Sequence, residues 1–189
     1  MAFRFTQTKL DGVVIIEPDR FRDERGFFLE TYHQAQYAEG GITCTFVQDN
    51  HSQSGQGVLR GLHYQDMSAP MAKLVRCTYG AILDVAVDLR VGSPTFGQWV
   101  GVELSSENAL QLLVPVGFGH GFLTLSTIAE VQYKCSGYYQ RAAEGAVRWD
   151  DPEIGITWPI AQPTTSERDR RAMSLVAYRE RPAFVWGQC

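Results

Sequence analysis

The sequence lacks an excess of positive charge. It contains 17 Lys and Arg residues against 21 Asp and Glu residues, and its formal net charge at pH 7 is -4. A general nucleic-acid-binding surface needs a basic face that displaces counterions from phosphates, so this composition argues against that class of protein. A local basic pocket for a smaller anion remains compatible with it.

Long apolar runs are also missing. No run approaches the roughly 20 residues that a helix needs to span a bilayer, and the opening stretch MAFRFTQTKLDGVVIIEP has no continuous apolar signal region. The cysteines, at positions 44, 77, 135 and 189, form no CxxC pair. We therefore expect a cytoplasmic protein with reduced thiols that binds neither nucleic acid nor a membrane.

Internal repeats, low-complexity tracts and linkers are absent as well. The chain has 189 residues, of which 44% are hydrophobic and 20% charged, and this balance can supply a substantial core. The sequence predicts one domain over residues 1–189.

Short runs separated by glycine and proline dominate what is present. The 18 Gly and 8 Pro residues bound apolar segments that are mostly too short for stable helices. We expect an all-β antiparallel sandwich or barrel, with short peripheral helices within residues 29–41 and 165–181. The segments RVGSPTFG, SSEN and PVGFGHG are predicted to be turns. The predicted strands are GVVIIEP, TCTFVQDNHS, MAKLVRCTYG, AILDVAVDLRV, FGQWVGVELS, ALQLLVPVGF and AEVQYKCSGYY.

Alternation within three of these strands indicates which side chains share a face. In EVQYKC the period of two places Tyr133 with Val131 and Cys135, so the tyrosine should point inward. In KLVRC, Lys73 begins a face that otherwise carries small apolar residues, which fits a strand that starts at a cavity mouth. In FVQDN, Gln48 and Asn50 lie together, and polar groups beside an aromatic residue suit a ligand wall.

The stretch GVLRGLHYQ raises a geometric question about Arg60 and His63. Strict alternation would place the two side chains on opposite faces of a strand. A bulge at Gly61 would bring them to one face, because glycine tolerates the extra residue that a bulge inserts. The alternative for His63 is a core histidine whose hydrogen bonds are satisfied.

The stretch VPVGFGHGF carries a PxGxxH pattern at Pro115, Gly117 and His120, which resembles the second motif of cupin barrels. Cupins are double-stranded β-helices, or jelly rolls, in agreement with the strand-rich pattern. Metal cupins usually supply HxH and a glutamate from a first motif, whereas here Tyr64 and Gln65 follow His63. We expect a metal-free barrel. The alternative is a metal held by His63, His120 and a distant carboxylate, as in a metal-dependent cupin oxygenase or isomerase.

Taken together, an ordered series of segments from about residue 3 to residue 170 resembles the dTDP-4-dehydrorhamnose 3,5-epimerase family. The resemblance implies a metal-independent isomerase without a cofactor, acting in dTDP-rhamnose biosynthesis. Each segment alone is a weak signal, but their order along the chain is specific. The segments are FRDERGFFLETY, FVQDNHSQSGQGVLRGLHYQ, AKLVR, DVAVDLRVGSPTFGQWVGVELSSEN, QLLVPVGFGHGF, AEVQYKCSGYY, VRWDDPEIGITWP and SERD.

The resemblance implies four catalytic residues. Epimerisation beside a ketone needs a base, an acid on the opposite face and a group that stabilises the enolate. By similarity, His63 is the base and Asp169 fixes its tautomer. Lys73 corresponds to the lysine near the C4 carbonyl oxygen, and Tyr133 to the acid.

The resemblance also implies how a nucleotide-diphosphate sugar is held. Arg25 and Arg60 are the expected phosphate ligands, since a guanidinium can make paired contacts with phosphate oxygens. Family members are generally homodimers with N-terminal strand exchange, so Arg25 and Glu30 would serve the partner subunit's site. The remaining substrate-binding candidates are Phe28, Gln48, Asn50, His120, and the pair Tyr138 and Tyr139, which are placed to stack on a pyrimidine.

One departure from the family pattern precedes the catalytic lysine. Many members have roughly AQxK, whereas this chain has PMAK, so Met71 replaces an amide and Pro70 restricts the backbone before it. Three alternatives stay open. They are an epimerase of C3 only or C5 only, an epimerase of another nucleotide-linked 4-ketosugar, and a non-catalytic cupin that binds a nucleotide sugar.

Overall fold

Short antiparallel strands form most of the structure, a computed structural model that describes residues 2–188. The strands are β1 (Phe3–Gln7), β2 (Val14–Pro18), β3 (Arg20–Asp23), β4 (Gly26–Leu29), β5 (Gln48–Gly55), β6 (Leu59–Gln65), β7 (Lys73–Tyr79), β8 (Ala81–Asp88), β9 (Trp99–Ser105), β10 (Gln111–Val114), β11 (Phe118–Thr124), β12 (Ile128–Cys135) and β13 (Glu144–Ala146). The helices are α1 (Gln34–Glu39), α2 (Glu167–Arg170) and α3 (Leu175–Glu180), with a 3₁₀ turn at Arg141–Ala143.

Two sheets face each other, and the fold is the predicted all-β, cupin-like jelly roll. The first sheet has the strand order β1-β2-β10-β7-β12-β5, and the second has the order β13-β6-β11-β8-β9. Strands β3 and β4 form a separate hairpin. No helix among residues 2–188 combines the length and apolar character that crossing a membrane requires.

The apolar core has three parts. Side chains such as Val75, Ile82 and Leu112 fill the space between the sheets. The outer face of the second sheet packs against the C-terminal segment through Tyr178 and its neighbours. Helix α1 and the segment after it cover part of the outer face of the first sheet through Tyr37 and Ile42. Burial on both faces explains why β8 is a nearly continuous apolar run.

The predicted bulge in β6 is confirmed. His63 pairs with His120 of β11, and Arg60 pairs with Phe122, so β6 contains one residue more than β11 over this interval. Gly61 has φ +144, and a Cβ there would lie 2.5 Å from the Cα of Gly121. Only glycine fits this approach, which turns Arg60 and His63 toward the same cavity.

The predicted helix within residues 165–181 consists of two helices, capped by Ser166 and Ser174. The predicted turn at PVGFGHG is wrong in its second half, because β11 begins at Phe118. Strand β11 lies between β6 and β8, and all seven of its residues are buried. Its glycines serve close packing of neighbouring strands rather than a turn.

Candidate active site

A cavity of about 520 Å³ opens between the two sheets at one end of the jelly roll. Strand β6 contributes His63, β7 contributes Lys73 and β12 contributes Tyr133, while Asp169 enters from α2. All four predicted catalytic residues therefore line one cavity, although the sequence separates them widely.

His63 and Asp169 form a close hydrogen-bonded pair. The Nε2 of His63 lies 2.6 Å from Oδ1 of Asp169, and Asp169 is 3% exposed. An ionised carboxylate can only accept, so Nε2 carries the hydrogen, and the lone pair of the neutral imidazole is on Nδ1. Ser166 caps α2 by accepting from the main-chain N–H of Asp169, which fixes the base of the carboxylate's side chain.

The pKa shifts of this pair favour a neutral imidazole beside an ionised carboxylate. Burial lowers the pKa of His63 below its ordinary 6.5, and the hydrogen bond and negative charge of Asp169 oppose that shift only in part. Burial acts to raise the pKa of Asp169, but the hydrogen bond and charge of His63, a hydrogen bond from Ser166 and the charge of Arg168 together lower it. His63 is thus available as a proton acceptor near neutral pH.

Lys73 and Tyr133 lie together on neighbouring strands. The Nζ of Lys73 is 6.0 Å from the centre of the Tyr133 ring. Burial lowers the pKa of Lys73, while Cys135, Asp84 and Glu144 act in the opposite direction. Burial raises the pKa of the Tyr133 phenol above 10, which keeps it protonated and able to donate. The predicted inward direction of Tyr133 is confirmed.

The other cavity residues predicted from the sequence are Arg60 and His120. Arg60 donates from Nε to Ser54 Oγ at 3.1 Å and from Nη2 to the carbonyl of Gln53 at 3.2 Å. These contacts orient the guanidinium and leave Nη1 for an anion. His120 is buried, and its Nε2 lies 2.8 Å from Oδ1 of Asp84.

Two charged cavity residues, Glu144 and Arg168, were not predicted from the sequence. Glu144 comes from β13, opposite Gln65 of β6, and its Oε2 lies 2.7 Å from Nη1 of Arg168. Neither residue stands in a periodic pattern. The motif SERD contains Arg168 directly before Asp169, but only the packing of α2 against β6 shows that both enter the cavity.

Gln48, Asn50, Tyr138 and Tyr139 lie at the rim. Asn50 and Gln48 are the cross-strand partners of Tyr133 and Cys135, so they share the inward face of the first sheet. Gln48 donates to Asn50 Oδ1 at 3.1 Å and accepts from the Tyr139 N–H at 3.1 Å. Both tyrosine rings are exposed, and the Tyr139 hydroxyl donates to Glu144 at 3.0 Å.

Arg25, Phe28 and Glu30 do not line the cavity of their own chain. Arg25 and Phe28 lie in the β3–β4 hairpin, where Arg25 pairs with Asp23 and the Phe28 ring is 63% exposed. Arg20 holds the hairpin against the turn between β9 and β10 through the carbonyls of Ser106 and Glu107.

Within residues 2–188, no cluster of three or more His, Cys, Asp or Glu side chains has the geometry of a metal site. His63 and His120, which the alternative prediction placed on one metal, are each paired with a carboxylate. The side chains of the cavity are suited to proton transfer. A buried base, a lysine and a protonated phenol surround a space large enough for a sugar.

Comparisons with known proteins agree with this chemistry. The family model described as dTDP-4-dehydrorhamnose 3,5-epimerase matches residues 7–177. A protein of that name from Salmonella typhimurium is 54% identical over 171 residues, which cover 89% of this chain and 93% of the relative. A dTDP-4-dehydrorhamnose 3-epimerase from Streptomyces niveus is 42% identical over 172 residues, which cover 90% of this chain and 83% of that protein.

A solved structure matches the fold and covers almost the whole chain. It is the crystal structure of dTDP-6-deoxy-D-glucose-3,5-epimerase from Legionella pneumophila in complex with dTDP-4-keto-L-rhamnose. The TM-score is 0.89 and the sequence identity is 48%, with 92% of this chain and 93% of the other covered.

Proposed function

This chain belongs to the dTDP-4-dehydrorhamnose 3,5-epimerase family, and from that premise we propose that it inverts C3 and C5 of dTDP-4-dehydro-6-deoxy-D-glucose, giving dTDP-4-dehydro-L-rhamnose. The observation that carries the proposal is the convergence of His63, Lys73 and Tyr133 on one cavity, with Asp169 hydrogen-bonded to the imidazole.

Proton exchange beside the C4 ketone needs no redox step. His63 removes the proton from the carbon next to the ketone, and the electron pair of the broken C–H bond moves to the carbonyl oxygen as an enolate. Lys73 stabilises that oxygen, a contribution of roughly 3 to 4 kcal/mol for a well-placed donor. The electron pair then returns to the same carbon, whose opposite face takes a proton from Tyr133. His63 releases the captured proton to solvent, and Tyr133 recovers a proton from solvent.

The diphosphate is held by Arg60 and Arg168. The whole chain carries a net charge of -4, yet both guanidinium groups face the cavity. Two cations at the mouth, partly balanced by Glu144, provide the local positive potential that the diphosphate requires.

A homodimer accounts for Arg25, Phe28 and Glu30. The family resemblance implies that these residues bind substrate, but in this chain they lie outside the cavity of their own subunit. The β3–β4 hairpin also exposes Phe21, Phe27 and Phe28, an apolar surface suited to a second copy. The proposal places these residues in the partner subunit's site.

We also propose that the enzyme is a single domain that works in a reducing compartment. The continuous interior between the sheets supports one domain over residues 1–189. Cys44, Cys77 and Cys135 are free thiols, which supports a reducing compartment such as the cytoplasm. The proposed reaction uses no cofactor or metal.

The test is NMR of dTDP-4-dehydro-6-deoxy-D-glucose in heavy water with the purified protein. We expect deuterium at C3 and C5, and an L-sugar that a reductase can trap. The His63→Ala variant should stay folded and lose exchange by several orders of magnitude.

Deuterium at one carbon would identify a mono-epimerase, the second candidate function, which the similarity to the Streptomyces niveus 3-epimerase makes concrete. Binding of the nucleotide sugar without any exchange would identify a non-catalytic binding protein and overturn the proposal.

A further inference from the structure

Resting on that proposed function, we propose that Gln65 is a positioning residue that joins the rim of the cavity to the loop leading into Lys73. Gln65 was not among the residues expected to contact substrate, and it does not line the cavity. Its effect on the site is exerted through the main chain of other segments.

The side-chain amide of Gln65 is buried, and both its nitrogen and its oxygen form hydrogen bonds. Its side chain donates from Nε2 to the carbonyl of Ala69 at 2.9 Å and to the carbonyl of Tyr138 at 3.3 Å. Its Oε1 accepts from the N–H of Gln140 at 2.6 Å. The residue is 6% exposed. A buried amide with three main-chain partners on two segments fixes the distance between them.

The first of these segments is the rim, residues 138–140. Gln65 holds the main chain on both sides of Tyr139, and Gln48 accepts from the N–H of Tyr139 itself. The side chain of Tyr139 is held by Glu144. The rings of Tyr138 and Tyr139 nevertheless remain 67% and 52% exposed. Exposed aromatic rings on a fixed backbone are preorganised to pack against a flat ligand, here the nucleobase.

The second segment is the loop of residues 66–72. Besides the Gln65 contact with Ala69, the N–H of Ala72 donates to Ser136 Oγ at 2.8 Å. The carbonyl of Pro70 lies so near Gly137 that a Cβ there would be 2.8 Å from the oxygen. These contacts use the loop's main chain. Because main-chain atoms of the loop make them, these contacts do not depend on the side chains at positions 70 and 71.

Loss of Gln65 should therefore weaken binding of the nucleobase more than binding of the diphosphate. Without its amide, two carbonyls and one N–H lose their partner, and the loop and rim are free to separate. Arg60 and Arg168 have other contacts and keep their positions.

The experiment compares Gln65→Leu with Gln56→Leu. Gln56 also donates from Nε2 to a carbonyl, that of Leu125, but it is exposed and lies outside the cavity. Two probes are titrated into each protein. They are dTDP, which has a base, and inorganic pyrophosphate, which has none.

For Gln65→Leu we expect the Kd of dTDP to rise by about tenfold, with pyrophosphate binding changed by less than about twofold and the KM raised more than kcat is lowered. For Gln56→Leu we expect neither change. Equal weakening of both probes, or an unchanged Kd for dTDP, would overturn the inference.

Gln65→Glu keeps an acceptor for Gln140 and removes the two donors, so it serves if the leucine variant does not fold. We expect it to weaken dTDP binding in the same selective way, and unselective weakening would count against the inference. A wild-type protein without deuterium exchange would instead refute the proposed function, so the two failures are distinguishable.

Discussion

Asp169 lies 2.6 Å from Nε2 of His63 across a separation of 106 residues. The carboxylate is buried and capped into a short helix, whereas the imidazole lies on a strand of the second sheet. The pair therefore links helix α2 to strand β6, which forms part of the cavity wall.

Asp169→Asn should lower kcat/KM by roughly 10²- to 10⁴-fold, the range for a positioned general base. The sign of the pH effect follows from the two opposing contributions to the His63 pKa. Burial lowers it below 6.5, and Asp169 raises it. In the wild type the base is lost as pH falls through that lowered pKa.

Without the carboxylate, the acid limb of the pH profile should therefore move to still lower pH. Measuring kcat/KM over a range of pH for both proteins gives the position of the acid limb in each. A limb that stays in place or moves upward would show that His63 is not the titrating base.

Tyr133→Phe should separate enolate formation from reprotonation. The phenol is protonated because burial raises its pKa, so its removal affects the donor step while His63 remains. We expect deuterium exchange to persist and trapped L-sugar to fall. Tyr79→Phe, on an exposed ring at the far end of β7, is the matched control. An unchanged yield in Tyr133→Phe would remove the assigned role.

Lys73→Met should lower kcat by roughly 10²- to 10³-fold, because one stabilising donor to the enolate is lost. Methionine approximates the length of the lysine stem, so the cavity keeps its shape. Steady-state kinetics measure the loss, and Lys9→Met on the exposed surface should leave kcat unchanged. A variant that raises KM alone would place Lys73 in substrate binding rather than enolate stabilisation.

Arg25→Ala and His63→Ala should complement each other when mixed. Each variant alone lacks one part of every site, but a mixed dimer combines an intact cavity with an intact hairpin in one of its two sites. Equal mixing should recover about a quarter of wild-type activity. Failure to recover activity, with subunit exchange verified by mass spectrometry, would mean that Arg25 does not serve a partner.

Arg90→Ala should destabilise the fold without changing kcat of the folded enzyme. Arg90 is buried, and its Cζ lies 4.5 Å from the centre of the Phe118 ring and 4.4 Å from the centre of the Trp186 ring. Its guanidinium forms an ion pair with the buried Asp88. Removing one partner of a buried pair costs about 3 to 5 kcal/mol.

Thermal unfolding followed by circular dichroism measures the Arg90→Ala effect as a lower Tm. Arg4→Ala, which breaks an exposed pair with Glu17, should leave the Tm unchanged. Equal shifts for the two variants would contradict the assignment of Arg90 to the core.

Local rules predicted seven of the strands (β2, β5, β7, β8, β9, β10 and β12), the direction of Tyr133 and the bulge at Gly61, because each depends on a few neighbouring residues. They did not predict β1, β3, β4 or β13. The start of β11 at Phe118 could not be predicted in this way. Gly119 and Gly121 resemble turn residues, but they are required by the nearness of Leu89 and Gly61 on other elements.

The positions of Glu144 and Arg168 depend on strand pairing and helix packing over long separations. A charged residue in an irregular segment has no period that distinguishes a cavity wall from a solvated surface. The family resemblance supplied the role of Asp169, which its residue type alone would not have revealed.

Because His63 and Asp169 are far apart in the sequence, catalytic activity depends on the docking of the late segment that contains Asp169. As the chain leaves the ribosome, the strands of both sheets emerge before α2, so a barrel can form while its base still lacks a carboxylate. Turnover returns fully only when the segment that contains Asp169 has docked. In a refolding reaction we therefore expect the β-sheet signal to recover before the activity does.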